Sequence, residues 1–414
     1  MAKIHRKPLP SPFDADAAVW HLYRVWSNQD RIRLQQITLT NHAMVHSLVA
    51  LWEISSGQST ATPHGRLADI GFWRRRKFYF NRIFVPVALI SAWGLLQILA
   101  NSTRSQWLTR QATLTWFVSG VAFLLAATIL QNEALRERFF TLILWAVSIL
   151  SIVAILQYHQ QPIYVFGLFP AESTVVGTFL YKNQFAAMLE LAAPIALYRM
   201  VEMENQEWYG AGAFALMFGA AVGASSRAGV LLLSLELVLA LAIVAKRRLL
   251  PWRNLLLLSG GLLAMVSAAS TLAGTQSIAE HFQEQSPYSI RQKLLKSTLR
   301  MVKEKPILGY GLGTWPEVYP AFATFDNAKL ANEAHNDWAQ WSAEGGVPFA
   351  LLLAWLTFSI ARPAARSIWG MGVLAVMAQS FVDYPTREPV LAIFWFVLAG
   401  ALSRYRDPLD SRPG

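Results

Sequence analysis

The chain has 414 residues, 54% of them hydrophobic and only 15% charged, against roughly 25% charged in a soluble domain. It contains no cysteine, which excludes disulfides, thiolate metal sites and a cysteine nucleophile. The net charge of +11 does not point to nucleic acid, because most lysines and arginines sit in short clusters beside apolar runs, the distribution that a positive-inside bias produces.

Residues 1–82 are the least apolar part of the N-terminal half. The start, M-A-K-I-H-R-K-P-L-P, is basic but leads into no apolar core, so no cleavable signal peptide is expected. Thr38–Ile54 mixes Met44, Val45, Leu48 and Trp52 with His42, His46 and Glu53, and reads as a surface-lying segment. The region as a whole is expected to be cytoplasmic or interfacial, with at most one weak extra span.

Ten apolar runs follow, at 83–100, 112–130, 139–157, 183–198, 208–225, 229–245, 254–273, 346–361, 367–382 and 389–403. A helix needs about 20 residues to cross about 30 Å of hydrocarbon, so each run is a candidate transmembrane helix. The expected fold is an all-α polytopic membrane bundle: seven spans over 83–273, a polar insert over 274–345, three spans over 346–403 and a tail at 404–414. The basic loops test the sidedness. Arg74, Arg75, Arg76, Lys77 and Arg82 precede the first span; Arg136 and Arg138 follow the second, and Arg199 the fourth. Lys246, Arg247, Arg248 and Arg253 follow the sixth, Arg362 and Arg366 the eighth, and Arg404 and Arg406 the tenth. All of these fall on one side, which the rule makes cytoplasmic. The insert, the loop 158–182, the turn 226–228 and the loop 383–388 then face outward.

Within the insert, Pro287–Glu304 carries Ile290, Leu294, Leu295, Leu299 and Val302 at helical spacing, with Lys293, Lys296, Arg300 and Lys303 forming a basic face. Ser289 is placed to cap this helix, Lys305-Pro306 to end it, and Arg291 to point back towards the bundle mouth. Gly309, Gly311 and Gly313 in I-L-G-Y-G-L-G-T-W allow a tight bend or close backbone approach. They do not make a nucleotide loop, for no βαβ context precedes them and no G-K-S/T follows. The insert ends in H-N-D-W-A-Q-W-S-A-E-G-G. There His335 opens a helix on which Asn336, Gln340 and Glu344, four residues apart, share one face, and Gly345-Gly346 breaks it before the next span. No histidine spacing here suits zinc, so no metal and no cofactor is expected.

Arg227, in the short turn S-S-R-A-G, and Arg291 both face outward in this topology, with Lys182 and Arg387 beside them. Arginine offers a rigid, permanently charged fork for phosphate oxygens, and histidine can take a hydroxyl proton near neutral pH. Arg227 can equally be a snorkelling interfacial arginine, and His335 a structural anchor. The pairing suits transfer from a diphosphate-linked donor to a hydroxyl, and a bilayer location suits a lipid-carried donor.

Six strings resemble the O-antigen ligase and polysaccharide polymerase superfamily of bacterial inner membranes, in that family's order. They are G-T-F-L-Y-K-N-Q-F-A-A (177–187), S-S-R-A-G (225–229), S-I-R-Q-K (289–293), K-P-I-L-G-Y-G-L-G-T-W (305–315), H-N-D-W-A-Q-W-S-A-E-G-G (335–346) and F-V-D-Y-P-T-R-E-P (381–389). The last is most similar to exopolysaccharide members. The resemblance implies a GT-C-like, metal-independent, inverting glycosyltransferase whose insert and active site face the periplasm. The implied donor is a glycan on undecaprenyl diphosphate. The implied acceptor is lipid A–core oligosaccharide for a ligase, or another lipid-linked repeat unit for a polymerase, with contacts to other polysaccharide assembly proteins. The implied catalytic residues are His335, Arg227 and Arg291, with Lys182, Arg300, Asn336, Gln340, Glu344, Asp383 and Arg387 as substrate-binding candidates. A transporter or flippase would show paired internal repeats or broken helices, and none is evident. A non-catalytic scaffold would tolerate alanine at His335 and Arg291.

Overall fold

The structure, a computed structural model, describes residues 82–159, 164–165, 169–170, 176–179, 181–202, 207–275, 279, 289–325 and 331–405. The readings made above for residues 1–81 lie outside this range. The described elements are helical apart from a two-residue antiparallel strand pair, β1 (Tyr164–Val165) with β2 (Phe169–Pro170), and one bridge between Val176 and Phe179.

All ten apolar runs contain helix. They are α1 (Phe84–Leu99), α2 (Gln106–Ile129), α3 (Glu133–Tyr158), α4 (Lys182–Glu202), α5 (Glu207–Gly223), α6 (Arg227–Arg247) and α7 (Trp252–Ala273). After the insert come α10 (Asp337–Arg366), α11 (Met371–Gln379) and α12 (Pro389–Leu402). The insert itself contributes α8 (Ser289–Glu304) and the single turn α9 (Trp315–Val318). Among the described residues, five helices are long and apolar enough to cross a membrane, namely α2, α3, α6, α7 and α10, where ten spans are expected from the sequence. Helices α1, α5 and α12 are shorter apolar helices, and α11 joins the 3-10 turn Ile368–Gly370 as another. At about 1.5 Å per residue, none of these reaches the 30 Å of a bilayer core by itself.

Helix α4 shows why apolarity alone misjudges the bundle. It is 21 residues long and contains Asn183, Gln184, Glu190 and Arg199, all buried. Protein surrounds it: α5, α6 and α11 pack along it. Gly229 of α6 lies where a Cβ would meet Ala186, and Gly372 of α11 lies against the backbone of Glu190. A helix wrapped by other helices needs no greasy surface. The outer helices are the reverse. Trp145, Ile149, Ile152 and Leu156 of α3 are exposed at helical spacing, as are Leu231, Leu235 and Val238 of α6. An apolar exterior around a partly polar centre is the arrangement that lipid as solvent requires. The protein is a multi-pass helical membrane protein with a large non-membrane insert.

Contacts at the two ends tie the loops together. At one end Arg199 bridges Glu137 at 3.0 Å, Arg247 donates to the Arg366 carbonyl at 2.7 Å, and Arg404 lies over the Phe84 ring. Most of the described short-loop arginines are gathered there. At the other end, α8, α9 and the following turn form a small core of their own around Leu294, Met301, Trp315 and Tyr319. Trp315 stacks on Tyr319 and donates through Nε1 to Thr298 at 3.0 Å.

Helix α10 begins inside the insert, nine residues earlier than the apolar run, and breaks at Gly346, whose φ of 77° and ψ of 166° are not helical. The break exposes three carbonyls, and each finds a donor. Ala343 accepts from the Tyr310 amide, Glu344 from the Gly311 amide and the Gln97 side chain, and Gly345 from Trp93 Nε1. Thus the glycine-rich turn 309–313 and the end of α1 both dock on the kink. A Cβ on Gly346 would come within 1.9 Å of the Ile307 carbonyl oxygen.

Candidate functional site

Four helices begin within one cluster of hydrogen bonds at the insert end: α4, α6, α8 and α10. Asn183, the second residue of α4, is the hub. Its Oδ1 accepts from Ser226 Oγ at 2.9 Å, and Ser226 is the N-cap of α6. Its Nδ2 donates to the Tyr181 hydroxyl at 3.1 Å and to Asp383 Oδ2. Asp383, buried in the turn after α11, receives His335 Nδ1 on Oδ1 at 3.3 Å and lies 3.5 Å from Arg291 Nη2. Arg291, in the first turn of α8, also donates to Tyr181 Oη at 3.1 Å and to the Val382 carbonyl. Tyr181 and Tyr384 stack with ring centres 5.4 Å apart, and His335 meets Tyr384 edge-on at 4.9 Å.

His335 does not open α10. Asn336 is the N-cap, accepting the Ala339 amide at 2.9 Å while donating to the Phe381 carbonyl at 2.7 Å. His335 precedes it in the left-handed region, at φ 51°. That conformation is uncommon for a residue with a Cβ and turns the ring away from the helix path, towards Asp383. A carboxylate can only accept, so Nδ1 carries the proton of that bond, and the neutral ring then keeps Nε2 as its free base. About a quarter of the His335 side chain is exposed, and a similar share of Arg291, whereas Asp383 is almost fully enclosed.

The remaining predicted residues divide. Lys182 and Arg227 are the first residues of α4 and α6, both half-buried and next to the hub. Gln340, Glu344 and Arg387 belong to a second, internal network. Glu344 accepts the Gly313 and Trp315 amides at 2.8 and 3.1 Å, Arg387 Nη2 at 2.7 Å and Gln340 Nε2 at 3.2 Å. Gln340 also donates to Glu333, and its Oε1 accepts the Ala334 amide. Arg387 is enclosed by Glu333, Asp337 and Glu344. The shared helix face of Gln340 and Glu344 is as expected, but their polar atoms are spent on holding the insert to α10. Arg300 lies on the exposed side of α8, opposite its buried Leu294, Ser297, Thr298 and Met301, and so points away from Arg291. Leu299 and Ile290, expected on the apolar face, are likewise exposed.

Tyr181, Asn183, Ser226 and Tyr384 were missed as site residues, although three of the quoted strings contain them. Burial and the neighbouring Asp383 carboxylate push the Tyr181 hydroxyl well above its ordinary pKa, so it stays protonated. Among the described residues no three histidine, aspartate or glutamate side chains are grouped to hold a metal ion.

Helix starts carry partial positive charge and unpaired N–H groups. Four of them lie around one histidine, with Arg291, Arg227 and Lys182 in their first turns, a clustering of the kind that attracts anions. The site thus belongs to a multi-pass helical membrane protein. Residues 212–354, from within α5 to within α10, match the model of the family described as O-antigen ligase. The stretch includes Arg227, Arg291 and His335, while Lys182 and the turn 381–387 lie outside it. Comparison with curated proteins finds no match.

Proposed function

We propose that the protein transfers a glycan from undecaprenyl diphosphate to an acceptor hydroxyl at the outer face of a bacterial inner membrane. The observation that carries this is the His335–Asp383–Arg291 arrangement at the meeting of four helix starts. In the proposed reaction the acceptor oxygen attacks the anomeric carbon as the bond from that carbon to the phosphate oxygen breaks. The bonding pair leaves with the diphosphate, and the hydroxyl proton passes to His335 Nε2. Asp383 holds the imidazole tautomer and favours the imidazolium that results, as a carboxylate does behind any histidine base. Arg291, Arg227 and Lys182, with the helix-start amides, bind the diphosphate and stabilise the charge it gains on leaving. One displacement of this kind inverts the anomeric configuration.

The match to the O-antigen ligase family favours lipid A–core oligosaccharide as the acceptor. The F-V-D-Y-P-T-R-E-P string, similar to exopolysaccharide members, favours the polymerase reading, in which a second lipid-linked repeat is the acceptor. Purified protein in proteoliposomes, given lipid-linked glycan with each acceptor in turn, separates them by product size. One ligated species marks a ligase, and a ladder on the lipid carrier marks a polymerase. His335→Ala is expected to keep donor binding and abolish both products. Full transfer by that variant overturns the proposal.

A further inference from the structure

The Tyr181 hydroxyl is over-supplied with donors. Asn183 Nδ2 and Arg291 Nη2 both donate to it, each at 3.1 Å, which uses the acceptor capacity of a phenolic oxygen. Its own O–H proton has no acceptor among the described residues. The half-buried phenol is held in place: the ring stacks on Tyr384, and Tyr181 immediately precedes α4. Its hydroxyl shares Arg291 with Asp383, which in turn holds His335. A neutral donor fixed against a guanidinium has an obvious complement, an anionic oxygen that touches both.

We infer that Tyr181 donates its hydroxyl proton as a hydrogen bond to a phosphate oxygen of the bound lipid diphosphate, beside Arg291. This deepens the reading of the same site as a diphosphate-glycan transferase and rests on it. The bond strengthens as the diphosphate gains charge on leaving, because hydrogen bonds to ionised acceptors are about twice as strong as neutral ones. Tyr181 therefore acts on donor binding and departure, while the acceptor hydroxyl is left to His335.

The test uses the full-length purified protein and two probes, undecaprenyl diphosphate and uncharged undecaprenol. Two variants separate donation from mere support of Arg291. Tyr181→Phe removes the oxygen altogether. Replacement of Tyr181 by O-methyltyrosine keeps the oxygen that Asn183 and Arg291 donate to but has no proton to give. Both are expected to weaken diphosphate binding about tenfold or more, the scale of one lost hydrogen bond to a charged group. Undecaprenol binding and the acceptor KM are expected to stay unchanged. Diphosphate binding that is normal in Tyr181→Phe, or restored in the O-methyl variant, overturns the inference, and the second result leaves Tyr181 as a prop for Arg291. Failure of wild-type protein to transfer any glycan, with Tyr181-dependent diphosphate binding intact, would sink the transferase reading and not this one.

Discussion

At the scale of single residues, the side chains proposed to meet substrate are distinct from those that hold the frame. Asp383 is the sharpest case of positioning, since its carboxylate sets which nitrogen of His335 is free. Asp383→Asn presents an amide in place of that anion and is expected to lower turnover by roughly 10²–10⁴-fold, the range for losing an oriented general base. The melting temperature should move little, and kcat measured beside thermal unfolding on one preparation checks both halves. Glu344 is the opposite case. Its four hydrogen bonds are all internal, and it faces Arg387 at 2.7 Å within the protein. Glu344→Ala leaves two amides without their acceptor and takes the nearest carboxylate from a guanidinium that keeps Glu333 and Asp337, a change expected to cost about 1–3 kcal/mol for each group left unsatisfied. Its loss should appear as a lowered unfolding temperature, with near-normal turnover in the fraction that remains folded. Normal stability with lost donor binding would return Glu344 to the substrate-binding role expected from its place four residues after Gln340.

At the scale of elements, the break in α10 is what lets one continuous stretch serve both the insert and the membrane. The first segment, from Asp337 to Gly345, carries Gln340 and Glu344 into the insert. The second, from Val347 to Arg366, has exposed Leu351, Trp355 and Phe358 along its outer face. The turn 306–313 and the side chains of Trp93 and Gln97 fill the break. Gly346→Ala would force a Cβ to within 1.9 Å of a carbonyl oxygen in a left-handed conformation, where backbone strain alone costs of order 1–3 kcal/mol. We expect that variant to be poorly folded and eluted as aggregate on size exclusion in detergent. A monodisperse, normally melting Gly346→Ala protein would show that the kink is not required. The glycine pair could be read from sequence as a helix stop. Its partners could not, because Trp93 and Gln97 lie some 250 residues away and nothing local marks them.

At the scale of the whole molecule, the two ends differ in the contacts their charged residues make. Arg199, Arg247 and Arg404 make their contacts at one end, and His335, Arg291 and Asp383 at the other. The positive-inside bias predicts a cytoplasmic location for the first end. The chain has no cysteine of its own, so single cysteines at Leu250 and Thr324 can report sidedness. An impermeant thiol reagent on intact spheroplasts is expected to label the second and spare the first, and the reverse pattern would invert the orientation. The position of the helical runs, the one-sided basic loops and the strings that resemble the O-antigen ligase family were all legible in the sequence. They are local properties, written in the hydrophobicity and charge of short windows. What only the tertiary structure decided is which of those helices is central and which polar residues meet. Helix α4, unremarkable in apolarity, is the buried axis, and its Asn183 reaches Asp383 across 200 residues. Likewise Arg291 and His335 converge on one carboxylate, while Arg387 and Glu344 turn inward upon each other. Such pairings depend on how helices cross and where glycines let backbones approach, and spacing along the chain does not encode that geometry.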